Sequence, residues 1–243
     1  MKKYLFFICV IALTTASCDP KTQEAIIKTS NDILNSTSTS ELTTEEIIRG
    51  LKEALSVGTS NSTALASQLD GFNKNPLIFI PWPAQASSMK EKLIQIGFQK
   101  QVSDFETSLN RAAEEATKDA APIFIDAITQ MTISDGLSIL NGKDTAATHY
   151  LRMKTYSALK AKFSPVVSSA ISKVNVTAYW TPLVNTYNLI PGVTRQNPDL
   201  NAYVTDKTIN ALMTLIAREE TKIRHDPAAR VTEILKKVFG AHK

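Results

Sequence analysis

The sequence predicts an all-α fold, a single multi-helix domain crossed by one extended, proline-flanked segment near residues 75–83. Three observations carry this expectation. Apolar residues recur at helical spacing through most of the chain after Thr43, and capping side chains or prolines stand where such stretches begin. Only Leu77-Ile78-Phe79-Ile80 is β-rich, and Pro81-Trp82-Pro83 at once forces polyproline-like geometry on it. One strand makes no sheet, so this segment is expected to lie across helices as a hydrophobic strap, unless a partner strand meets it. With no internal repeat and no composition break, one domain over 43–240 is the economical reading.

Residues 1–17 stand apart. Lys2 and Lys3 precede the apolar run Leu5 to Leu13, and Thr14, Thr15, Ala16 and Ser17 lead to Cys18. This charged, apolar, small-residue order is that of a secretory signal peptide, too short in its apolar part to remain as a membrane span. Thr15-Ala16-Ser17-Cys18 resembles the bacterial lipobox, in which the cysteine is lipidated and becomes the new N-terminus, although leucine is commoner at the place of Thr15. Cleavage leaving a free thiol is the alternative. The only other cysteine, Cys9, lies in the leader, so disulfides and cysteine-bound metals are excluded from the domain.

Residues 18–42 read as the lipidated N-terminus and a tether. Eleven of the sixteen residues from Thr29 to Thr44 are Ser, Thr or Asn, a composition that buries little apolar surface. Such a tether would hold the domain about 25 to 30 Å from a lipid surface. The predicted location is therefore the cell envelope, outside the cytoplasm, with the membrane as partner through the lipid. Loss of Lys2 and Lys3 lowers the net charge from +4 to +2, and no basic cluster points to nucleic acid.

Thr43-Thr44-Glu45-Glu46 offers a capping box ahead of Ile47, Ile48, Leu51 and Leu55, and Gly58 is expected to stop that helix. Leu65 and Leu69 suggest a second short helix ending at Gly71. Beyond the strap, helices are expected over 85–96, 99–119, 122–130, 134–140, 144–162, 165–173, 176–188, 205–224 and 228–239. Ser164-Pro165, Asn197-Pro198, Asp226-Pro227, Asp144 and Thr205 supply starts, and Gly97 and Gly142 supply stops. Between 102 and 120, Val102, Phe105 and Leu109 give way to Ala113, Ala116 and Ala120, a face that lets another helix approach closely.

Several ordered blocks then resemble a bacterial family. They are Asn110-Arg111-Ala112-Ala113-Glu114, Asp126-Ala127-Ile128 with Met131-Thr132 and Asp135, Ala146-Ala147-Thr148 with Tyr150-Leu151, and Ile223-Arg224 with Asp226-Pro227, Arg230 and Val238-Phe239-Gly240. Together they are similar to domain-of-unknown-function family 4197 over about Glu45 to Gly240. The resemblance implies an exported, mostly helical bacterial domain, often with a lipoprotein-type leader, and implies no activity. Gly136, His225 and Trp82 depart from the residues expected there.

No Gly-x-Ser-x-Gly elbow, phosphate-binding glycine loop or dinucleotide fingerprint occurs. Glu-x-x-His and His-x-x-x-His spacings are also missing, and His149, His225 and His242 sit in different segments, so no metal or cofactor is expected. The candidate binding residues are the polar members of the family-like blocks: Asn110, Arg111, Glu114, Asp126, Asp135, Arg224 and Arg230. Each also has a structural reading. Arg111 and Glu114 are spaced for an exposed intrahelical pair, Asp126, Thr132 and Asp135 surround a helix break, and Arg224 and Arg230 can satisfy the end of the preceding helix.

Three functions stay open on these grounds. The first is a non-enzymatic envelope lipoprotein whose helical domain binds an envelope protein or an apolar ligand, with Trp82 expected to be exposed. The second is an enzyme using paired carboxylates from Glu114, Asp126 and Asp135, which requires two of them about 5 to 10 Å apart in one cleft. The third is a structural envelope component.

Overall fold

The computed structural model describes residues 42–134 and 136–240. The predicted leader, Cys18, almost all of the tether, Asp135 and His242 lie outside the described residues. What is described is all-helical. The helices are α1 (Thr44–Ala66), α2 (Ser87–Gln95, entered through a 3-10 turn at Ala84–Ala86), α3 (Gln99–Thr117), α4 (Ala120–Gln130) and α5 (Gly136–Leu140). They are followed by α6 (Ala146–Lys173), α7 (Val176–Asn188), α8 (Leu200–His225) and α9 (Glu233–Gly240), with a second 3-10 turn at Pro227–Ala229. Among the described residues, no helix is long and apolar enough to cross a membrane.

One core runs through the domain, and α8 is its axis. Leu200, Val204, Ile209, Leu212, Met213, Ile216 and Ile223 are buried along it. Its two largest interfaces are with α1 and α6. Antiparallel packing on α6 is visible in the order of partners, since Thr148, Arg152, Tyr156 and Ser164 meet Glu220, Asn210, Asp206 and Asn201 in turn.

The capping box at Thr43 and Glu46 forms as expected. Gly58 does not end α1. A Cβ at residue 58 would stand 3.3 Å from Glu219 Cβ and 3.5 Å from the Ile216 carbonyl oxygen, so the glycine lets α8 approach and the helix continues to Ala66. The short helix expected from Leu65 to Gly71 is therefore the last turn of α1 followed by tight turns, and Leu65 and Leu69 are exposed. Gly97 does terminate α2, with φ +93.

Two expected helices, 144–162 and 165–173, are one. Pro165 lies inside α6, where it costs about 3 kcal/mol, yet Leu159, Phe163 and Val167 around it are fully buried and each contributes about 1.5 to 3 kcal/mol. Continuity of packing outweighs the proline. In α8, Asp199 rather than Asn197 or Thr205 is the cap, because its carboxylate reaches the Ala202 amide and the helix starts at Leu200. Asp226 caps only the 3-10 turn, and the last helix starts at Glu233 rather than 228. Asp144 caps nothing; it pairs with His225.

Candidate functional site

The sequence-predicted polar residues fall into two separate networks. The first lies on α3. Glu106, Asn110 and Glu114 are spaced four apart, hence on one face of the helix, and they hold the strap by its backbone. The strap is not extended from residue 75 as the sequence predicts, because the Ile78 and Phe79 amides donate to the Asn75 carbonyl and close a turn there. Glu106 Oε1 accepts from the Trp82 amide at 3.0 Å, and also from Lys90 Nζ at 2.7 Å. Asn110 accepts from the Ile80 amide at 2.8 Å and donates back to the Ile80 carbonyl at 2.9 Å. Glu114 Oε1 accepts from the amides of Phe72 and Asn73, both at 3.1 Å. The strap thus descends α3 in reverse, with side chains doing what a neighbouring strand would do in a sheet.

Trp82 is buried, not exposed. Its ring packs at 4.9 Å from Phe105 and 5.4 Å from Trp180, and its indole N–H donates to the Ala86 carbonyl at 2.8 Å. Tyr203 pins the same segment by donating to the Pro81 carbonyl at 2.9 Å. Burial, aided by the nearby Glu106 charge, pushes the Tyr203 phenol up to about 12.

The Arg111–Glu114 pair is not the solvated pair its spacing suggests. Glu114 is 4% exposed, and Arg111 bridges it to Asp70, with nitrogen–oxygen distances of 2.6 Å on both sides. Asp70 stands in a left-handed conformation at φ 67, and its carboxyl is held down to about 2, first by Lys74 and then by Arg111 and Asn73.

The second network is centred on a residue that no local pattern singled out, Glu220. It is 1% exposed, and it accepts from the Ala147 amide at 3.0 Å and from the Thr148 amide and hydroxyl, both at 2.8 Å. These amides belong to the first turn of α6, so a carboxylate from α8 caps that helix where Thr145 makes no side-chain cap. Arg224 donates to Glu220 through Nε and Nη2 and to the Leu140 and Ile139 carbonyls that end α5. Arg230, 9% exposed, donates to the Ile223 and Arg224 carbonyls that end α8.

Asp126 joins neither network. It pairs with Lys162 and accepts from Gln130 at 2.7 Å, on an exposed face. Its carboxyl is lowered, chiefly by the Lys162 hydrogen bond.

Glu106, Asp70 and Glu220 were missed by sequence reasoning. Glu106 alone left a signal, since it shares the four-residue spacing of Asn110 and Glu114. The partners of Glu220 lie more than seventy residues away in sequence.

Among the clefts that open beside these elements are two that combine apolar wall with cationic side chains. The larger, about 500 Å³, lies between α4 and α6; Met131, Leu159 and Ala158 line it, with Tyr150, Lys154 and Lys162 around them. The second, about 410 Å³, lies at the junction of α5, α8 and α9 and is lined by Leu140, Asn141, Asp144, Arg224, His225, Pro227, Arg230 and Phe239. Among the described residues, no group of three His, Cys, Asp or Glu side chains is placed to hold a metal ion.

Among curated proteins and solved structures nothing matches the chain. A family model described as protein of unknown function, DUF4197, matches residues 41–240. That match takes in both networks and both clefts, and the chain accordingly belongs to the DUF4197 family.

Proposed function

We propose that this chain is an exported lipoprotein, anchored through Cys18, whose helical domain is a non-enzymatic binding module of the cell envelope. Its occupant is an apolar chain ending in an anionic head, seated between α4 and α6. The observation that carries this reading is the make-up of that cleft. Ala127 and Ala158 offer apolar surface over the buried Met131 and Leu159 at the cleft floor, while Lys154, which has no carboxylate partner among the described residues and lies over the Tyr150 ring at 5.7 Å, supplies positive charge at the rim. Binding is favoured over acid–base catalysis because Glu114 is committed to two backbone amides and Arg111, and Asp126 to Lys162 and Gln130.

The test is a titration with a dansyl-labelled fatty acid. Saturable binding is expected, weakened about tenfold by Ala158→Trp, which fills the cleft from an exposed position, and by Lys154→Glu. Equal binding by all three proteins would refute the site. Anchoring is tested separately: Cys18→Ser is expected to abolish fatty-acid labelling and membrane fractionation. An unmodified thiol at residue 18 in the mature protein would exclude a lipid anchor.

A further inference from the structure

We infer that the cleft at the junction of α5, α8 and α9 is a second binding site, for a carboxylate carried on a small apolar body. The starting observation is a charge without a counterion. Arg224 is neutralised by Glu220 at 2.8 Å, but Arg230, nine-tenths buried, meets no carboxylate among the described residues. Its Nε and one Nη2 hydrogen are used on the carbonyls of Ile223 and Arg224, at 2.9 and 2.8 Å. Nη1 has no hydrogen-bond partner among the described residues, and it lies beside Gly240, where an added Cβ would touch it at 3.9 Å. A guanidinium always carries its charge, and burying one with carbonyl partners alone leaves its field unanswered.

The cleft into which Arg230 faces has the shape and lining for that missing anion. Its volume of about 410 Å³ is within the range of small-ligand sites. Leu140, Pro227 and Phe239 supply apolar wall, and the Phe239 ring is held in place beneath the Arg224 guanidinium at 5.6 Å. Asn141, exposed at the mouth, adds an amide that can donate to an oxygen.

Charge arithmetic selects the ligand class. The groups facing the cleft are Arg224, already neutralised, Arg230, and the rim pair of Asp144 Oδ1 and His225 Nε2 at 2.8 Å. One uncompensated positive charge beside an acidic rim suits a monoanion better than a phosphate dianion. The fork of a guanidinium also matches the plane of a carboxylate. This site is distinct from the α4–α6 cleft and stands or falls independently of it.

The test uses the purified full chain with benzoate as probe and inorganic phosphate as the second arm, followed by nitrogen-15 NMR. Saturable shifts are expected with benzoate at the Arg230 and Arg224 side-chain N–H groups and at the Leu140 and Asn141 amides. Because Arg230 also ends α8, its removal would confound folding, so the variants are placed at the rim. Asn141→Trp, which closes the mouth, is expected to weaken binding about tenfold. Asp144→Asn, which removes the repelling charge, is expected to tighten it about threefold; a site that served only the fold would not respond in that direction. Absence of saturable shifts, shifts indifferent to Asn141→Trp, or a preference for phosphate over benzoate would overturn the assignment.

Discussion

Replacing Glu220 with glutamine keeps the shape of the side chain and removes its charge, which isolates what that carboxylate contributes. Its two oxygens accept five hydrogen bonds: from the Ala147 amide, the Thr148 amide and hydroxyl, and twice from Arg224. With the glutamine carbonyl in the Oε1 position, Ala147 and Arg224 keep an acceptor, but the new NH2 group faces the Thr148 amide and that donor is orphaned at the start of α6. Arg224, with a side chain only 9% exposed, is then left with carbonyl partners and no counter-charge. Breaking a buried pair of this kind costs about 3 to 5 kcal/mol.

Glu114→Gln is the control. Both backbone amides there sit on Oε1, which the amide oxygen can replace, and Arg111, 28% exposed, still has Asp70 as counter-charge. The expected loss is about 1 to 2 kcal/mol. Urea unfolding of the purified variants reads both numbers as a lowered midpoint at unchanged slope. Losses that are equal, or a loss below about 1 kcal/mol for Glu220→Gln, would refute the reasoning, since a pair worth so little behaves as if exposed.

Asp70 gives a pH dependence with a definite sign. Its folded value of about 2, set first by Lys74 and next by Arg111, lies below the ordinary aspartate value, so its stabilisation is complete above about pH 4 and disappears as pH falls toward 2. Carbon-13 NMR of the carboxyl should titrate in that lower range, and a midpoint near 4 would contradict the bridge. Gly50→Ala should cost about 1 to 3 kcal/mol, because the added methyl would stand 2.6 Å from Val238 Cγ2; faster hydrogen exchange over Leu235 to Phe239 is the local signature, and unchanged exchange would count against it. Trp82→Ala removes one ring of the Trp82–Phe105–Trp180 cluster and should cost about 3 to 5 kcal/mol, with a red shift of the remaining Trp180 emission; an unshifted spectrum would mean the rings are not packed together.

The helical class was legible because periodicity and punctuation agree locally over most of the domain. Thr43 with Glu46 and Gly97 are signals that act within a few residues, and the structure uses them as they read. Gly58, Pro165 and Thr205 misled for the opposite reason, since what happens at each is decided by a neighbouring helix rather than by the local chain. The same division runs through the polar residues. The Arg111–Glu114 pair was visible as a three-residue spacing, but not its burial, which depends on Asp70, Phe72 and Asn73. Glu220 is one acidic residue in an amphipathic helix, and its partnership with Ala147 and Thr148 has no local trace.

Because Glu220 caps α6 from across the core, the order in which the chain becomes available matters for folding. Residues 146–173 are complete long before residue 220 has been synthesised, yet their first turn lacks its acceptor until then. The same delay holds at the other end of the domain, where α1 leans on α8 and on Val238 of α9. A nascent or truncated chain ending before α8 therefore holds an uncapped helix and a first helix that can pack on α4 and α5 but lacks its largest interface. Such a chain would be a substrate for chaperones and proteases rather than a smaller stable domain, and the fold closes only when its last helices arrive.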